Sequence, residues 1–282
     1  MTVLFDGVAF GMLLFLISVG LSVTLGLMNF INLAHGAFAM LGGYVCVTLL
    51  NRAGLPFLAT VPLAVLASAA AGVALERTLY RRLYGASHLD QVLFSIALVF
   101  IAVSTAQYFF GAGQQPITLP SMLSGQITLG SAELGVYRLF LIVIGLVMAA
   151  LLQWMVERTR FGAQLRAAVD NPRVAGGMGI DVDRIFVLTF ALGSGLAGLG
   201  GALGIDTLGL DPGFAIKYIV YFLIVIAVGG SGSIKGSLLA SLLIGVVDVA
   251  GKYYLPQFGA FLIYTVMVVT LIVRPQGFFG RQ

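Results

Sequence analysis

The sequence predicts an all-α, polytopic integral membrane protein that forms a bundle of about 8–10 transmembrane helices. Of its 282 residues, 60% are hydrophobic and only 9% are charged, whereas an ordinary soluble domain has roughly 25% charged residues. Apolar runs close to 20 residues, the length at which a helix crosses a bilayer, recur along the whole chain. Because lipid offers no partners to backbone groups, such runs must be helical.

Nine apolar runs are candidate membrane spans within a single domain that covers residues 1–282. The second, seventh and eighth runs are shorter than a full crossing. No basic segment precedes the first run and no cleavage pattern follows it, so we interpret it as a retained span rather than a signal peptide. The runs are residues 7–28, 34–50, 56–75, 92–110, 136–156, 185–205, 214–228, 237–250 and 258–273.

The distribution of Lys and Arg predicts the orientation in the membrane. Eleven basic residues lie on the side of the chain's C-terminus and only four on the other side. Cytoplasmic loops carry the excess of basic residues, so we expect a multi-pass protein of the cell (inner) membrane with a cytoplasmic C-terminus. The net charge of +4 has the same explanation and does not indicate a nucleic-acid partner. The four residues of the other side are Arg52, Arg138, Lys217 and Lys252.

Two polar stretches interrupt the helical pattern, at residues 29–36 (Asn29-Phe-Ile-Asn-Leu-Ala-His-Gly36) and 229–236. In transporters, unwound backbone at matching places of two halves commonly lines the solute site. The alternative is a tight turn between spans, which we favour for residues 229–236. In the first stretch His35 would then hold the turn by a hydrogen bond. The candidate pathway residues are Asn29, Asn32, His35, Gly36, Gly230 and Ser231.

The loop at residues 157–184 carries nine charged residues and is too long for a simple connection. Phe161, Leu165 and Val169 recur at a spacing of four and predict an apolar stripe on a short helix. Its charged rim would include Arg160, Arg166 and Asp170. Asn171-Pro172 predicts the end of that helix, Gly179 a left-handed cap, and Asp183 the N-cap of the next span. Such a helix either docks a partner protein or lies on the membrane surface.

Small residues in the sixth candidate span predict close helix packing. Gly193, Ala197 and Gly201 recur at a spacing of four, which lets helices approach closely in a membrane. Residues 193–198 also match a dinucleotide-binding pattern, but no βαβ unit surrounds them. Asp248 and Lys252 form a candidate ion pair between residues i and i+4.

Nothing in the sequence predicts catalysis. The chain has two histidines, His35 and His88, and one cysteine, and no nucleophile and base can be placed together. The Gly-Lys-Ser/Thr order of a phosphate-binding loop is absent from residues 229–237. We therefore expect a transport protein that is not an enzyme and binds no cofactor or metal itself.

Four blocks of sequence resemble one known family, the permeases of high-affinity branched-chain amino acid importers driven by ATP-binding-cassette proteins. They lie at residues 26–44, 160–180, 228–237 and 274–278, so the resemblance covers nearly the whole chain. The Asn-His-Gly signature is similar to that of the first permease of the pair. The chain departs from the family pattern at Ala37, where the resemblance predicts an acidic residue.

The resemblance implies an importer with several subunits, in which the cytoplasmic loop transmits movement driven by ATP. The implied partners are two cytoplasmic ATPases that bind ATP and Mg, a second homologous permease, an extracytoplasmic solute-binding protein and membrane lipid. Alternatives are a permease for urea or short amides, or an autonomous secondary transporter or channel. An autonomous carrier would need its own ion site, usually carboxylates within spans, and only Asp248 qualifies.

Overall fold

The computed structural model describes residues 2–28, 30, 32–129 and 132–280, and in this part of the chain the fold is a bundle of α-helices. One short antiparallel hairpin, β1 (Gln126–Leu129) with β2 (Ala132–Gly135), precedes α5. A 3₁₀ turn, Tyr80–Leu83, follows α3. The helices are α1 (Thr2–Met28), α2 (His35–Asn51), α3 (Phe57–Thr78), α4 (His88–Phe110), α5 (Val136–Arg158), α6 (Arg160–Asp170), α7 (Pro172–Gly177), α8 (Val182–Leu208), α9 (Phe214–Gly229), α10 (Ile234–Tyr254) and α11 (Gly259–Val273).

Each of the nine candidate spans corresponds to one apolar helix of the bundle, which confirms the predicted polytopic fold. Six of these helices are long enough to cross a membrane by length and composition, and three, α2, α9 and α11, are shorter. The eighth span was predicted too short, because α10 extends from Ile234 to Tyr254 and includes Asp248. The hairpin was not predicted.

Helix α1 is the centre of the bundle. Residues 11–24 are buried on every side, and α1 packs against α5, α8, α9 and α10. Glycines make this enclosure possible, because a Cβ atom at Gly11 would lie 2.8 Å from the Ser241 carbonyl oxygen of α10. On α8, a Cβ atom at Gly193 would lie 3.1 Å from the Gly20 carbonyl oxygen of α1. Backbones meet directly at both contacts, as the small residues favour.

The helices α1–α3 and α8–α10 form two halves of the same design. Their lengths are 27, 17 and 22 residues in the first half and 27, 16 and 21 in the second. Helices α1 and α8 run antiparallel, since Gly193 lies beside Gly20 and Gly200 beside Ile17. Helix α3 packs on α8, and α10 packs on α1. The arrangement is an inverted repeat, the topology of many transporters.

The bundle has two ends, which we name by their landmarks. The loop-helix end carries α6, α7 and the C-terminal ends of α3, α5 and α9. The hairpin end carries β1 and β2, together with the N-terminal ends of α3 and α5. Between the ends, α3, α4 and α5 expose many large apolar side chains, among them Leu66, Phe100 and Leu146. A lipid environment satisfies such surfaces.

The small residues of α8 pack as predicted, although they do not share one partner. Gly193 faces α1, whereas a Cβ atom at Gly201 would collide with the Ala39 carbonyl group of α2. Ala197, between them, is fully buried. Helix α8 is therefore enclosed by several helices along its C-terminal half, as α1 is along most of its length.

Replacement of Gly201 by leucine should lower the melting temperature of the detergent-solubilised protein, because the side chain would separate α8 from α2. Overpacking of this kind costs about 1–3 kcal/mol or more. Gly85→Leu is the matched control, since a Cβ atom at Gly85 meets nothing within 4 Å. Equal melting of Gly201→Leu and the parent would contradict the packing assignment.

Candidate functional site

Helix α2 begins inside the bundle rather than at its surface. The Nε2–H group of His35, its first residue, donates a hydrogen bond to the Ile17 carbonyl oxygen at 2.7 Å, and Ile17 lies near the middle of α1. The chain must therefore turn back into the bundle after α1 ends at Met28. Asn29, the first candidate pathway residue, lies outside the described residues.

Asn32 forms the turn that starts α2. Its side-chain Oδ1 accepts a hydrogen bond from the Ala34 N–H at 3.1 Å, and its backbone carbonyl accepts one from the His35 N–H at 3.3 Å. The Tyr80 hydroxyl donates to the same Oδ1 at 2.9 Å. Asn32 is buried, so these bonds satisfy polar groups that have no access to water.

Helix α9 begins in the same way in the other half. Asp211 Oδ1 accepts a hydrogen bond from the Gly213 N–H at 2.7 Å, and its carbonyl accepts one from the Phe214 N–H at 3.0 Å. Gly209, at the end of α8, has a φ of +73° that favours glycine. Residues 209–213 are therefore the structural counterpart of the stretch before α2.

The first turns of α2 and α9 meet inside the bundle. A Cβ atom at Gly36 would lie 2.9 Å from the Ala215 carbonyl oxygen, so only a residue without a side chain permits this approach. Helix N-termini carry N–H groups without intrahelical partners and a partial positive charge. Paired N-termini of short helices are a common way for transporters to hold anionic solute groups.

His35 holds the turn. It is buried, and its ring nitrogen is bound to the α1 backbone, as the alternative interpretation of this stretch predicted. Its role in the solute pathway stays a prediction. His35 and Gly36 do lie together at the meeting point of the two short helices.

Gly230 and Ser231 lie elsewhere, in a tight turn between α9 and α10 at the loop-helix end. Gly230 has a φ of +92°, and the Gly232 N–H donates to the Ser22 carbonyl oxygen of α1 at 3.0 Å. Residues 229–236 thus form the tight turn that the sequence favoured. The alternative, that they match residues 29–36 as an interrupted helix, is corrected because residues 209–213 occupy the matching place. The turn instead closes the end of α1.

The predicted loop helix exists as α6, and Thr159 caps it by accepting a hydrogen bond from the Gly162 N–H at 3.2 Å. Its apolar stripe faces the chain itself. Leu165 is buried in a cluster with Ile185 of α8, and Phe161 and Val169 pack against that cluster. Leu165, at the centre of the stripe, is covered by α8 and is therefore not available to dock into a partner's groove. The role of the loop helix in coupling stays a prediction.

The rim of α6 is partly exposed. Arg160 and Asp170 are exposed. The Arg166 guanidinium donates a hydrogen bond to the Val156 carbonyl at the end of α5, a common stabilising contact at a helix C-terminus. Arg166 is thus also part of the structure that joins the loop to a span.

The rest of the loop follows the prediction with one change. Asn171 ends α6 and begins α7, since its Oδ1 accepts a hydrogen bond from the Val174 N–H at 3.1 Å. Gly179 has the predicted left-handed φ of +83°. The N-cap of α8 is Asp181, which accepts from the Arg184 N–H at 3.0 Å. Asp183, which was expected there, forms an ion pair with Arg81 instead.

A polar cavity of about 420 Å³ lies at the loop-helix end, between α6 and the turn before α10. Arg166, Ser231, Gly232 and Lys235 line it together with Glu157. Lys235 and Glu157 pair at 3.4 Å. The cavity brings one loop-helix residue and one candidate pathway residue together, at the surface rather than at the broken helices.

Two tyrosines follow α3 and were not singled out by the sequence. The Tyr84 hydroxyl donates a hydrogen bond to Glu76 Oε1 at 2.7 Å, while the Tyr80 hydroxyl donates to Asn32. Burial raises the pKa of both hydroxyls, so both stay protonated as donors. Glu76 is itself buried. A carboxylate at the end of an apolar run gives no signal of burial until its partner is known.

Asp248 forms the predicted ion pair. Its Oδ2 lies 2.6 Å from Lys252 Nζ, and its Oδ1 accepts a hydrogen bond from the Tyr221 hydroxyl at 3.0 Å. The pair satisfies the carboxylate locally. Within the described part of the chain, no group of three or more His, Cys, Asp or Glu could hold a metal ion.

Comparison with known proteins identifies the family. Residues 3–271 match the family described as branched-chain amino acid transport system, permease component. The permease protein BraD of Pseudomonas aeruginosa, from a high-affinity branched-chain amino acid transport system, is 28% identical over 99% of this chain and 95% of its own length. No solved structure matches the chain.

Two further relatives are also described as branched-chain amino acid permeases, and each covers the same share of this chain. The corresponding LivH protein of Salmonella typhimurium is 28% identical over 99% of this chain and 94% of its own length. The probable branched-chain amino acid transport permease LivH of Methanocaldococcus jannaschii is 28% identical over 99% of this chain and 92% of its own length.

The inverted repeat and the two short helices that start inside the bundle define a multi-pass membrane transport protein. The chain belongs to the family of branched-chain amino acid transport system permease components. It is the permease subunit of an importer of the ATP-binding-cassette class, and it is not an enzyme in itself.

Replacement of His35 by alanine should destabilise the protein by about 1–3 kcal/mol, because the Ile17 carbonyl and the turn before α2 lose a buried hydrogen bond. Thermal melting in detergent measures the loss, and His88→Ala, at the exposed start of α4, is the control. Unchanged melting with impaired transport would instead indicate that His35 acts in the pathway.

Proposed function

We propose that this chain imports branched-chain amino acids across the cell (inner) membrane by alternating access, driven by partner ATPases. The match to the permease family over residues 3–271 carries the proposal. The three relatives named above are described as branched-chain amino acid permeases. Their coverage of 99% of this chain supports the same role here.

The C-terminus and the loop-helix end face the cytoplasm. Basic residues concentrate at that end, after α3, around α6 and before α8, whereas Arg52 and Arg138 lie at the hairpin end. Cytoplasmic segments carry this excess. The solute-binding protein then meets the hairpin end, and the ATPases meet the loop-helix end.

The loop helices α6 and α7 couple the spans to the two ATPase subunits. Helix α6 is fixed to α8 through Leu165, so a push on the loop moves the start of α8 directly. The contact surface for the ATPases extends over α7, where Val174 is 56% exposed and Met178 is 77% exposed beside Arg173. Exposed apolar side chains with an adjacent arginine fit a protein groove better than water.

The solute passes where the first turns of α2 and α9 meet. Their N-termini offer N–H groups and positive dipole ends, which suit the carboxylate of an amino acid. Asn32, His35 and Gly36 position this point. Urea and short amides carry no carboxylate, so this feature favours an amino acid over the alternative cargo.

The chain binds neither nucleotide nor metal; ATP and Mg belong to the ATPase partners. A second homologous permease completes the pathway. The autonomous carrier or channel is disfavoured because Asp248, the carboxylate it would use, is satisfied by Lys252 and Tyr221.

Purification of the tagged chain from its native membrane in mild detergent, followed by mass spectrometry, tests the partners. We expect ATPases and a second permease to copurify. The purified complex in vesicles should accumulate leucine only with ATP and the solute-binding protein. A chain that copurifies with nothing and transports without ATP would contradict the proposal, and uptake of urea but not leucine would reassign the cargo.

Met178→Glu should weaken binding of the ATPases by about tenfold or more, because it places a charge in the apolar centre of the proposed contact. Copurification and uptake should fall together, while melting of the chain stays unchanged since Met178 is exposed. Met122→Glu is the matched control, as Met122 is 78% exposed but lies near the hairpin. Equal losses in both variants would argue against this contact.

A further inference from the structure

The 3₁₀ turn Tyr80–Leu83 lies between the loop helix and the stretch that starts α2. Tyr80 is fully buried, although it follows the end of α3. Its ring lies 5.2 Å from that of Phe30 and 4.6 Å from that of Phe190. Since its hydroxyl donates a hydrogen bond to Asn32, Tyr80 contacts the stretch before α2 through both its ring and its hydroxyl.

Tyr84 connects the same stretch to the loop helix. Its ring lies 5.9 Å from Phe30 on one side and 5.6 Å from Phe186 on the other, edge to face in both cases. Phe186 packs against the cluster of Leu165 and Ile185, where α6 meets α8. A continuous series of contacts therefore runs from Leu165 of α6 to Phe186 of α8, and from there through the Tyr84 ring to Phe30.

Two polar contacts fix the position of these rings. Buried Glu76 accepts a hydrogen bond from the Tyr84 hydroxyl, and Arg81 pairs with Asp183 at the start of α8. The first contact ties Tyr84 to α3, and the second ties the 3₁₀ turn to α8. Movement of the start of α8 would therefore act on the turn through this ion pair and through the ring contact between Phe186 and Tyr84.

We propose that Tyr80 and Tyr84 transmit movement of the loop helix to the start of α2, with Glu76 as the anchor of Tyr84. The two tyrosines are positioning residues, since they act on the pathway through Asn32 and Phe30. The inference rests on the proposed function for its direction, from the ATPases to the solute. Close-packed side chains carry such displacements because packed interiors shift between discrete arrangements.

The first test uses the assembled complex with its solute-binding protein in vesicles. Tyr80→Phe and Tyr84→Phe keep the rings but remove the hydroxyls. We expect uptake per ATP hydrolysed to fall about tenfold, with ATP hydrolysis close to that of the parent. The melting temperature should fall because each variant leaves a buried acceptor, on Asn32 or Glu76, without its donor. Tyr108→Phe on α4, where Tyr108 is 84% exposed, is the matched control.

Double-mutant cycles separate transmission from packing. The loss of uptake per ATP hydrolysed in Asn32→Ala combined with Tyr80→Phe should be smaller than the sum of the two separate losses, because the pair shares one hydrogen bond. The same holds for Glu76→Ala combined with Tyr84→Phe. Additive losses, or uptake and hydrolysis that fall in proportion, would overturn the proposal. Unchanged coupling in both tyrosine variants would overturn it as well.

The second test needs neither ATPase nor cargo, so it decides the inference even if the proposed function fails. Leu165→Ala opens a void where α6 meets α8. In the purified chain it should speed hydrogen exchange at residues 32–36 about tenfold, and leave the counterpart residues 209–213 unchanged.

In a Tyr84→Leu background the effect of Leu165→Ala on residues 32–36 should disappear, since the ring contacts to Phe30 and Phe186 are lost. An equal change at both stretches would indicate general loosening and overturn the proposal. Persistence of the effect without the Tyr84 ring would do the same. Failure of the parent complex to take up leucine would count against the proposed function only.

Discussion

Direct contact between helix backbones is the constraint on which this structure depends. Between membrane helices the hydrophobic effect supplies little attraction, and close packing has to replace it. Gly11 against α10 and Gly20 against Gly193 of α8 bring three long helices together with no side chains between them. Helix α1 is consequently enclosed on all sides. Its carbonyl groups can then serve residues inside the bundle, as the Ile17 carbonyl serves His35.

This enclosure also allows two helices to start away from the membrane surface. An irregular backbone is tolerated at membrane depth only where protein satisfies its polar groups. Asn32 and Asp211 supply side-chain acceptors in the same geometry, each for the N–H group two residues further on. The inverted repeat therefore extends to hydrogen bonds as well as helix lengths. Asparagine and aspartate perform the same task because each has a side-chain oxygen that can accept a hydrogen bond from a nearby backbone N–H group.

The sequence predicted the spans and the loop helix because their signals are local. Hydropathy over about 20 residues reports a helix in lipid directly, and the spacing of Phe161, Leu165 and Val169 reports α6. The sequence did not predict which elements these helices pack against. An amphipathic stripe does not say whether α8 or another protein covers it, and a glycine-rich polar stretch is compatible with both a tight turn and a broken helix.

Residues 209–213, the structural counterpart of residues 29–36, also carry a recognisable local sequence pattern. Asp211-Pro212-Gly213 is a turn sequence, but it stands between two apolar runs and reads as an ordinary connection. Only the tertiary contact of Gly36 with Ala215 shows that this turn starts a helix inside the bundle, opposite α2. Glu76 was overlooked for a similar reason, since its burial depends on Tyr84, eight residues further along the chain.

The two kinds of contact divide the molecule into a fixed part and a movable part. Glycine contacts hold α1 against α10 and against α8 from Gly193 onward with backbones touching, so these segments have little freedom to shift. The start of α8, before Gly193, lies outside these contacts. Around the 3₁₀ turn the contacts are instead between aromatic rings, most of them edge to face. Each ring pair stabilises the fold by only about 0.5–1.5 kcal/mol beyond the burial of its surface, so the contacts can re-form after a small rotation. The transport cycle that we propose moves the start of α2 without disrupting the core that encloses it. The aromatic contacts at the loop-helix end allow this movement, whereas the glycine contacts keep the core around α1 in place.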